Sequence, residues 1–178
     1  WPYSEFISIV PNVKAPSNTE FLITMKKGQR KTDMMKFSTD HRADLLTAAL
    51  KFRDQFAEQN NTTRRFNAYK YHWSESRVPV VLEVGQGSVN QREPATNKLL
   101  TSYDYNNIEG LTQISDYPGS VAVIYGGFSR LHLFALEQRD EFIKCVMEAG
   151  AAYVGVAIKQ RKEPITFDQY QLNRLGKY

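Results

Sequence analysis

The chain has 178 residues, a formal net charge of +4, 42% hydrophobic residues and 24% charged residues. This balance is typical of a globular protein and excludes a disordered one, and the charge is too small to indicate a nucleic-acid partner. No apolar run reaches the roughly 20 residues that span a bilayer, and the single cysteine, Cys145, excludes an intrachain disulfide and favours a reducing compartment.

The first part of the chain contains three strand patterns and one helix pattern. Alternating apolar residues bounded by turn residues predict strands over Phe6–Val10, Glu20–Lys26 and Met34–Phe37. A helix is predicted to begin near Thr39 or Asp40, both good N-cap residues, and to end at Asn60 and Asn61. Its predicted buried stripe follows helical spacing and comprises Leu45, Leu46, Ala49, Leu50, Phe52 and Phe56.

The next part predicts a larger sheet, with about seven strands, and a second helix. The strand patterns that can be delimited cover Arg64–Tyr71, Val78–Val84, Leu99–Tyr105, Ile108–Ile114, Val121–Tyr125 and Arg130–Phe134. The polar stretch Gly85–Thr96 is predicted to be a long loop. Tyr117–Ser120 fits a type II turn, and Gly126–Gly127 fits a hairpin turn.

Two stretches of the chain repeat each other, Met35–Glu58 and Leu131–Tyr153. A shift of 97 positions (134 minus 37) superposes Phe37 on Phe134, Asp40 on Glu137, Arg42 on Arg139, Leu45 on Phe142, Leu46 on Ile143 and Leu50 on Met147. Because the helices should match in length, the second is predicted to end at Gly155 (58 plus 97). A period of about 100 residues is too long for a solenoid and fits two globular units of one fold.

Seven short antiparallel strands followed by one amphipathic helix are typical of the pleckstrin-homology (PH) fold, in which the helix closes a bent half-barrel. The expected fold class is therefore α+β, with two tandem PH-like half-barrels that are each closed by a C-terminal helix. The first unit lacks its four opening strands, and the sheet edge that they leave is expected to be open to pairing with another chain.

The expected boundaries are 1–60 for the C-terminal part of the first unit, 61–160 for the complete second unit and 161–178 for a C-terminal extension. In the extension, apolar residues at near-helical spacing predict a short packed helix, namely Phe167, Tyr170, Leu172 and Leu175.

Several long stretches resemble one protein family. They are WPYSEF, KFSTDHRADLLTAALKFRDQF, RRFNAYKYHW, PATNKLLTSYDYNNIEG, YGGFSRLHLFALEQRDEFIK, RKEPITFDQY and the final GKY. They are similar to the N-terminal region of the large endosomal J-domain co-chaperones called receptor-mediated endocytosis eight. The resemblance covers essentially the whole chain.

The resemblance implies a non-catalytic membrane-targeting region. In this family the N-terminal PH-like region binds phosphatidylinositol 3-phosphate, and the proteins lie on the cytoplasmic face of early endosomes in endosomal sorting and endocytosis. They recruit the 70-kDa heat-shock chaperone to clathrin and sorting-nexin coats through parts outside this sequence, which has no His-Pro-Asp tripeptide. The family's lipid-binding residues lie in a strand-loop-strand that precedes Trp1, so none of them transfers. Because the first residue is Trp1 rather than Met, we expect the chain to be a fragment or a processed product.

Two hairpins are candidate lipid-binding sites. The first joins the opening strands of the second unit and carries Lys70, Trp73 and Arg77. Ammonium and guanidinium groups bind phosphate oxygens, and an aromatic side chain can lie at headgroup level. The alternative is a solvated hairpin with Trp73 folded onto the sheet.

The second hairpin lies in the first unit and is more basic. It carries Lys26, Lys27, Arg30 and Lys31. A basic residue near an anionic leaflet contributes about 1 kcal/mol. The alternative is a charged turn that keeps a strand edge soluble.

No motif indicates catalysis, a metal or a cofactor. The histidines His41, His72 and His132 lack metal-ligand spacing, and the glycine pairs lack the Lys-Ser/Thr of a phosphate loop. We therefore expect no enzyme activity and no cofactor. The alternative function is a peptide-binding, protein-binding or scaffold module, in which a ligand strand is added beside the C-terminal helix of a PH-like sheet.

Overall fold

The computed structural model describes residues 5–56, 64–71, 76–127 and 130–174. The first unit contains a three-stranded antiparallel sheet in the order β1–β2–β3. Its elements are β1 at Phe6–Pro11, β2 at Glu20–Lys27, β3 at Lys31–Ser38 and helix α1 at Arg42–Phe56. The alternation of apolar residues buries Ile9 and Phe21 on the inner face of this sheet, where Phe21 stacks on Phe37 with 5.6 Å between ring centroids.

The second unit contains a seven-stranded antiparallel sheet in the order β7–β6–β5–β4–β10–β9–β8. The strands are β4 at Arg64–Tyr71, β5 at Arg77–Val84, β6 at Ser88–Arg92, β7 at Leu99–Asp104, β8 at Ile108–Gln113, β9 at Ser120–Tyr125 and β10 at Arg130–Ala135. A 3-10 turn at Tyr105–Asn107 joins β7 to β8.

Helix α2 at Arg139–Ala149 follows the seven strands and continues as a π-helical turn at Gly150–Val154. Seven antiparallel strands and a closing helix are the PH arrangement, so the predicted fold class is confirmed. The turn ends at Gly155, which has a φ of 74°, in the left-handed region that favours glycine. This is the predicted end of the helix.

The internal repeat is confirmed at the level of elements. Helices α1 and α2 begin at Arg42 and Arg139, which are 97 positions apart (139 minus 42). Each helix directly follows the last strand of its sheet. The first unit therefore supplies the counterparts of β8, β9, β10 and α2, and among the described residues it has no counterparts of β4 to β7.

The prediction of a long loop over Gly85–Thr96 is wrong. Strand β6 lies within this stretch and pairs with both β5 and β7. Its polar residues concealed the strand, because Ser88 and Gln91 are buried through hydrogen bonds rather than through apolar contacts: Ser88 Oγ donates to Asn90 and Gln91 Oε1 accepts from Tyr103. Together with the six strands that the sequence patterns delimit, β6 brings the number of strands in the unit to seven.

The predicted stripe of α1 is only partly buried. Leu46 and Leu50 are 0% and 1% exposed, as predicted, whereas Leu45 and Phe52 are 40% and 52% exposed. The repeat explains why Leu45 is exposed. Its counterpart Phe142 packs edge-to-face on Phe66 of β4, with 5.4 Å between ring centroids. The first unit has no such strand in the described part of the chain. The side chain of Phe56 lies outside the described residues.

One hydrophobic core joins the two units. It includes Ile9, Phe21 and Leu46 from the first unit and Phe66 and Phe142 from the second. Burying apolar surface from both units in one core stabilises them together. The two units therefore form one packed body across this part of the chain.

A buried arginine lies at the junction of the units. Arg42 is 5% exposed, and its guanidinium donates to the carbonyl of Glu20 and to the carbonyl of Gly155, both at 3.1 Å. A Cβ atom on Gly155 would lie 2.5 Å from Arg42 Nη2 and 2.9 Å from Cβ of Pro11. Only glycine leaves room for this contact.

The segment after α2 covers one edge and one face of the second sheet. Backbone hydrogen bonds join residues 159–165 to β8 and to Ser115, which follows β8, at 2.7–3.0 Å, in parallel orientation. The predicted tail helix is present as α3 at Phe167–Arg174, and its Tyr170 is 2% exposed in a second apolar cluster with Tyr71. No helix in the described ranges is long and apolar enough to cross a bilayer.

Candidate anion-binding surfaces

The hairpin between β2 and β3 forms a basic tip, defined by Lys26, Lys27, Arg30 and Lys31. All four side chains are exposed, and Lys27 and Lys31 face each other across the last pair of the ladder. Gly28 has a φ of 72°, which permits the tight turn. The structure therefore brings these four predicted residues together on one small surface.

The basic tip is only slightly neutralised. Lys27 lies 4.0 Å from Asp33, and both side chains are more than half exposed, so this pair contributes little. In the described part of the chain, Lys26, Arg30 and Lys31 form no ion pair with an acidic side chain. A cluster of exposed like charges raises the local positive potential and attracts anions.

The position of the basic tip follows from the repeat. In the second unit, β10 pairs with β4 at Phe134–Lys70 and Ala135–Tyr69, so the β9–β10 and β4–β5 hairpins lie at the same end of the sheet. The β2–β3 hairpin is the counterpart of the β9–β10 hairpin. The basic tip therefore lies at the end of the first sheet that corresponds to the end of the second sheet where the β4–β5 hairpin lies.

The predicted site on the β4–β5 hairpin is divided between two faces of the sheet. Arg77 pairs with Tyr71, whereas Lys70 is the neighbour of Tyr71 along β4. Successive residues of a strand point to opposite faces. Lys70 and Arg77 are therefore not brought together, and Trp73 lies outside the described residues.

Lys70 points to the inner face, into a polar cluster that sequence reasoning missed. Its ammonium donates to Tyr103 Oη at 3.0 Å and to Gln91 Oε1 at 3.2 Å, and lies 5.7 Å from the ring centroid of Phe134. Tyr103 Oη also lies 3.4 Å from His132 Nδ1. Burial raises the pKa of Tyr103 well above its usual range, so its hydroxyl stays protonated and can donate.

Arg77 stacks on the outer face instead. Its guanidinium carbon lies 5.2 Å from the ring centroid of Tyr71 and 5.1 Å from that of Tyr117. Planar guanidinium groups stack favourably on aromatic rings. This arrangement orders Arg77 against the cluster that α3 covers, so it acts as a packing element there.

The alternative function, binding of a peptide as an added strand, needs a free sheet edge, and the chain itself occupies that edge. A ligand strand would add to the edge of β8 beside α2, and this edge already pairs with residues 159–165. The backbones approach closely, since a Cβ on Gly110 would lie 3.1 Å from the carbonyl oxygen of Lys159. In the first unit, β1 lies against the π-helical turn, and a Cβ on Gly155 would lie 2.9 Å from Cβ of Pro11.

Two family models match the chain. Residues 1–56 match the N-terminal domain of the DNAJ protein RME-8, and residues 66–158 match the second domain of the same protein. The second match alone covers more than half of the chain. The chain belongs to the RME-8 family of DNAJ proteins. This confirms the family that the sequence motifs indicated.

The other comparisons add little. No curated protein matches the chain. Among solved structures, the solution structure of a pleckstrin homology domain aligns with a TM-score of 0.39 at 13% identity, over 52% of this chain and 88% of that domain. The fold assignment rests on the strand order and the closing helix rather than on this alignment.

Proposed function

We propose that this chain is a non-catalytic membrane-targeting region that binds phosphoinositide headgroups, in the first place phosphatidylinositol 3-phosphate, on the cytoplasmic face of early endosomes. The observation that carries the proposal is the exposed basic tip of Lys26, Lys27, Arg30 and Lys31. Membership of the RME-8 family supports it. In this proposal the 70-kDa heat-shock chaperone and the sorting-nexin machinery are engaged by other parts of the polypeptide.

The strength of the basic tip limits its role. Four basic residues at about 1 kcal/mol each give roughly 4 kcal/mol, which corresponds to a millimolar dissociation constant. Such a contribution holds the protein near an anionic leaflet but does not select one headgroup. The tip therefore acts as the electrostatic part of a larger lipid-binding surface, and salt should weaken its effect.

The peptide-groove alternative is not proposed, because the chain fills the β8 edge itself. The scaffold alternative is favoured by a different observation. The shared core and the buried Arg42 fix the two units relative to each other. A rigid pair of units would hold the basic tip in a constant orientation relative to the rest of the polypeptide, so scaffold and membrane functions are compatible.

Vesicle co-sedimentation tests the proposal with two charge-matched variants. Lys27→Ala, Arg30→Ala and Lys31→Ala together remove three charges from the basic tip. Lys159→Ala, Arg161→Ala and Lys162→Ala remove three exposed charges from the segment along β8. On phosphatidylcholine vesicles with phosphatidylinositol 3-phosphate, we expect the tip variant to bind on the order of 100-fold more weakly. The control variant should bind within about twofold of the unmodified chain.

The lipid composition separates specific from general attraction. Vesicles in which phosphatidylserine supplies the same surface charge measure the non-specific part of the binding. If the two triple variants lost vesicle binding to the same extent, or if the tip variant bound as well as the unmodified chain, a role for the basic tip would be contradicted.

A further inference from the structure

The two units differ on the outer faces of their sheets. In the second unit this face carries an apolar cluster that contains Leu133 and Tyr170 of α3, and Leu131 of β10 packs against it. The shift of 97 positions places Met34 of β3 on Leu131 (131 minus 97). Met34 is 65% exposed. The outer face of the first sheet therefore presents to solvent an apolar side chain whose counterpart is packed against a cluster.

Ile7 of β1 is a second exposed apolar residue in this sheet. The pairing of β1 with β2 shifts between Phe6 and Ser8, so Ile7 is the extra residue of a β-bulge, and it is 41% exposed. Phe6 packs against the core and Ile9 lies in it. Both residues between them, Ile7 and Ser8, are therefore directed to the outer face.

The apolar pair of Ile7 and Met34 adjoins the basic tip. Ser8 and Met34 pair with Thr24 of β2 from opposite sides, so Ile7 and Met34 lie at the same level of the sheet. Two positions further along β2, Lys26 of the basic tip shares the face of Thr24, because the faces of a strand alternate. Basic side chains beside exposed apolar ones suit the interface of an anionic bilayer.

We propose that the outer face of the first sheet lies on an anionic lipid bilayer, with the apolar pair inserted at the boundary between headgroups and acyl chains. This inference rests on the proposed function and adds the apolar contribution that the basic tip lacks. The bilayer surface is the occupant because the charge of the tip is complementary to an anionic leaflet. A soluble inositol phosphate has no apolar part that would cover Ile7 and Met34.

The proposed orientation fixes the place of the second unit and the response to salt. The inner face of the first sheet contributes to the shared core, so the second unit lies on the side of the sheet away from the bilayer. Salt screens the attraction between the basic tip and the headgroups, whereas burial of apolar surface is not screened. The contribution of the apolar pair should therefore persist at high salt.

Co-sedimentation of the 178-residue chain with phosphatidylcholine vesicles that contain phosphatidylinositol 3-phosphate tests the proposal. Ile7→Thr with Met34→Thr removes the apolar pair and keeps strand-favouring residues. We expect its dissociation constant to rise about tenfold at low and at high salt. Leu99→Thr with Leu100→Thr is the matched control, because these side chains are 48% and 45% exposed in β7. The control should bind like the unmodified chain.

A fluorescent label measures insertion directly. In a Cys145→Ser background, Met34→Cys carries the label on the outer face of the first sheet, and Leu100→Cys carries it on the second unit. Lipids with a nitroxide on the acyl chain close to the headgroup should quench the label at position 34 and leave the label at position 100 unquenched.

The outcomes separate this inference from the proposed function. Unchanged binding of Ile7→Thr with Met34→Thr, an equal loss in the control, or no quenching at position 34 while the chain sediments with the vesicles would overturn the insertion and leave the basic tip as the binding element. Unchanged binding of the tip variant would instead contradict the proposed function. A chain that does not bind the vesicles at all would overturn both.

Discussion

At the scale of single residues, the junction between the units depends on one pair. Arg42 is a buried cation whose two hydrogen bonds end on backbone carbonyls of different units, Glu20 in the first and Gly155 in the second. Hydrogen bonds from a charged donor are stronger than neutral ones, and a buried charge without its partners is costly. Gly155 combines this contact with its positive φ, so two separate requirements exclude any side chain there.

Gly155→Ala is predicted to destabilise the chain by about 3 kcal/mol or more, from backbone strain and from the clash with Arg42 and Pro11. Urea unfolding measures the effect. Gly127→Ala is the matched control, since a Cβ at Gly127 meets nothing within 4 Å and its φ is not positive. If both variants unfold at the same urea concentration as the unmodified chain, the role assigned to the junction is wrong.

The division of the predicted Lys70 and Arg77 site is also a residue-scale result. Alternation along β4 and β5 was visible in the sequence, but the pairing register was not. A shift of the β4–β5 pairing register by one residue would place Lys70 and Arg77 on the same face of the sheet. The register pairs Tyr71 with Arg77, and the sequence alone could not predict this because the turn between them has no specific two-residue signal.

At the scale of elements, α3 is held by a few aromatic contacts. Tyr170 is 2% exposed in the cluster that contains Tyr71, and the ring centroid of Phe167 lies 5.7 Å from that of Tyr71. Asp116 Oδ1 accepts from the backbone N–H of Phe167 and orders the first turn of the helix. The helix is short, so these tertiary contacts rather than helix propensity maintain it.

Tyr170→Ala is predicted to cost about 3 kcal/mol or more, in the range of large-to-small substitutions of buried aromatic residues, and to release α3. Leu172→Ala, on the exposed side of the same helix, should cost less than about 0.5 kcal/mol. Hydrogen exchange of the α3 amides, together with urea unfolding, distinguishes these outcomes. Equal protection in both variants would show that Tyr170 does not anchor the helix.

Strand and helix positions were largely predictable from the sequence where apolar residues alternate or recur at helical spacing. This holds for β4, found where predicted at Arg64–Tyr71, and for the end of the second helix at Gly155. Strand β6 was missed because Ser88 and Gln91 are buried by hydrogen bonds, a pattern that resembles a polar loop. The pairing of residues 159–165 with β8 was missed because charged residues and Pro164 obscure any strand pattern there.

At the scale of the whole molecule, the two copies of one motif have different surroundings. Helix α2 covers its own sheet, and its Phe142 is 0% exposed. Helix α1 leaves the equivalent Leu45 40% exposed and buries Leu46 and Leu50 in the core that it shares with the second unit. The same repeat therefore gives a closed half-barrel in one unit and a docking element in the other.

The basic tip is the proposed lipid-binding feature of this arrangement. It is held on a three-stranded sheet whose inner face contributes to the shared core, so its orientation is fixed by both units. The sequence predicted its four basic residues as a group, because residues on either side of a short turn are necessarily close. The inner cluster of Lys70, Gln91 and Tyr103 joins three strands and could not be predicted without the sheet order.

An environment-sensitive fluorophore on the basic tip tests the central claim most directly. Gln29→Cys in a Cys145→Ser background places the label in the β2–β3 turn, and Leu172→Cys in the same background places it on α3. On adding phosphatidylcholine vesicles that contain phosphatidylinositol 3-phosphate, the label at 29 should shift to the blue while the label at 172 stays in water. A blue shift at 172 with none at 29, or no shift at either position while the chain sediments with the vesicles, would contradict membrane binding through this tip.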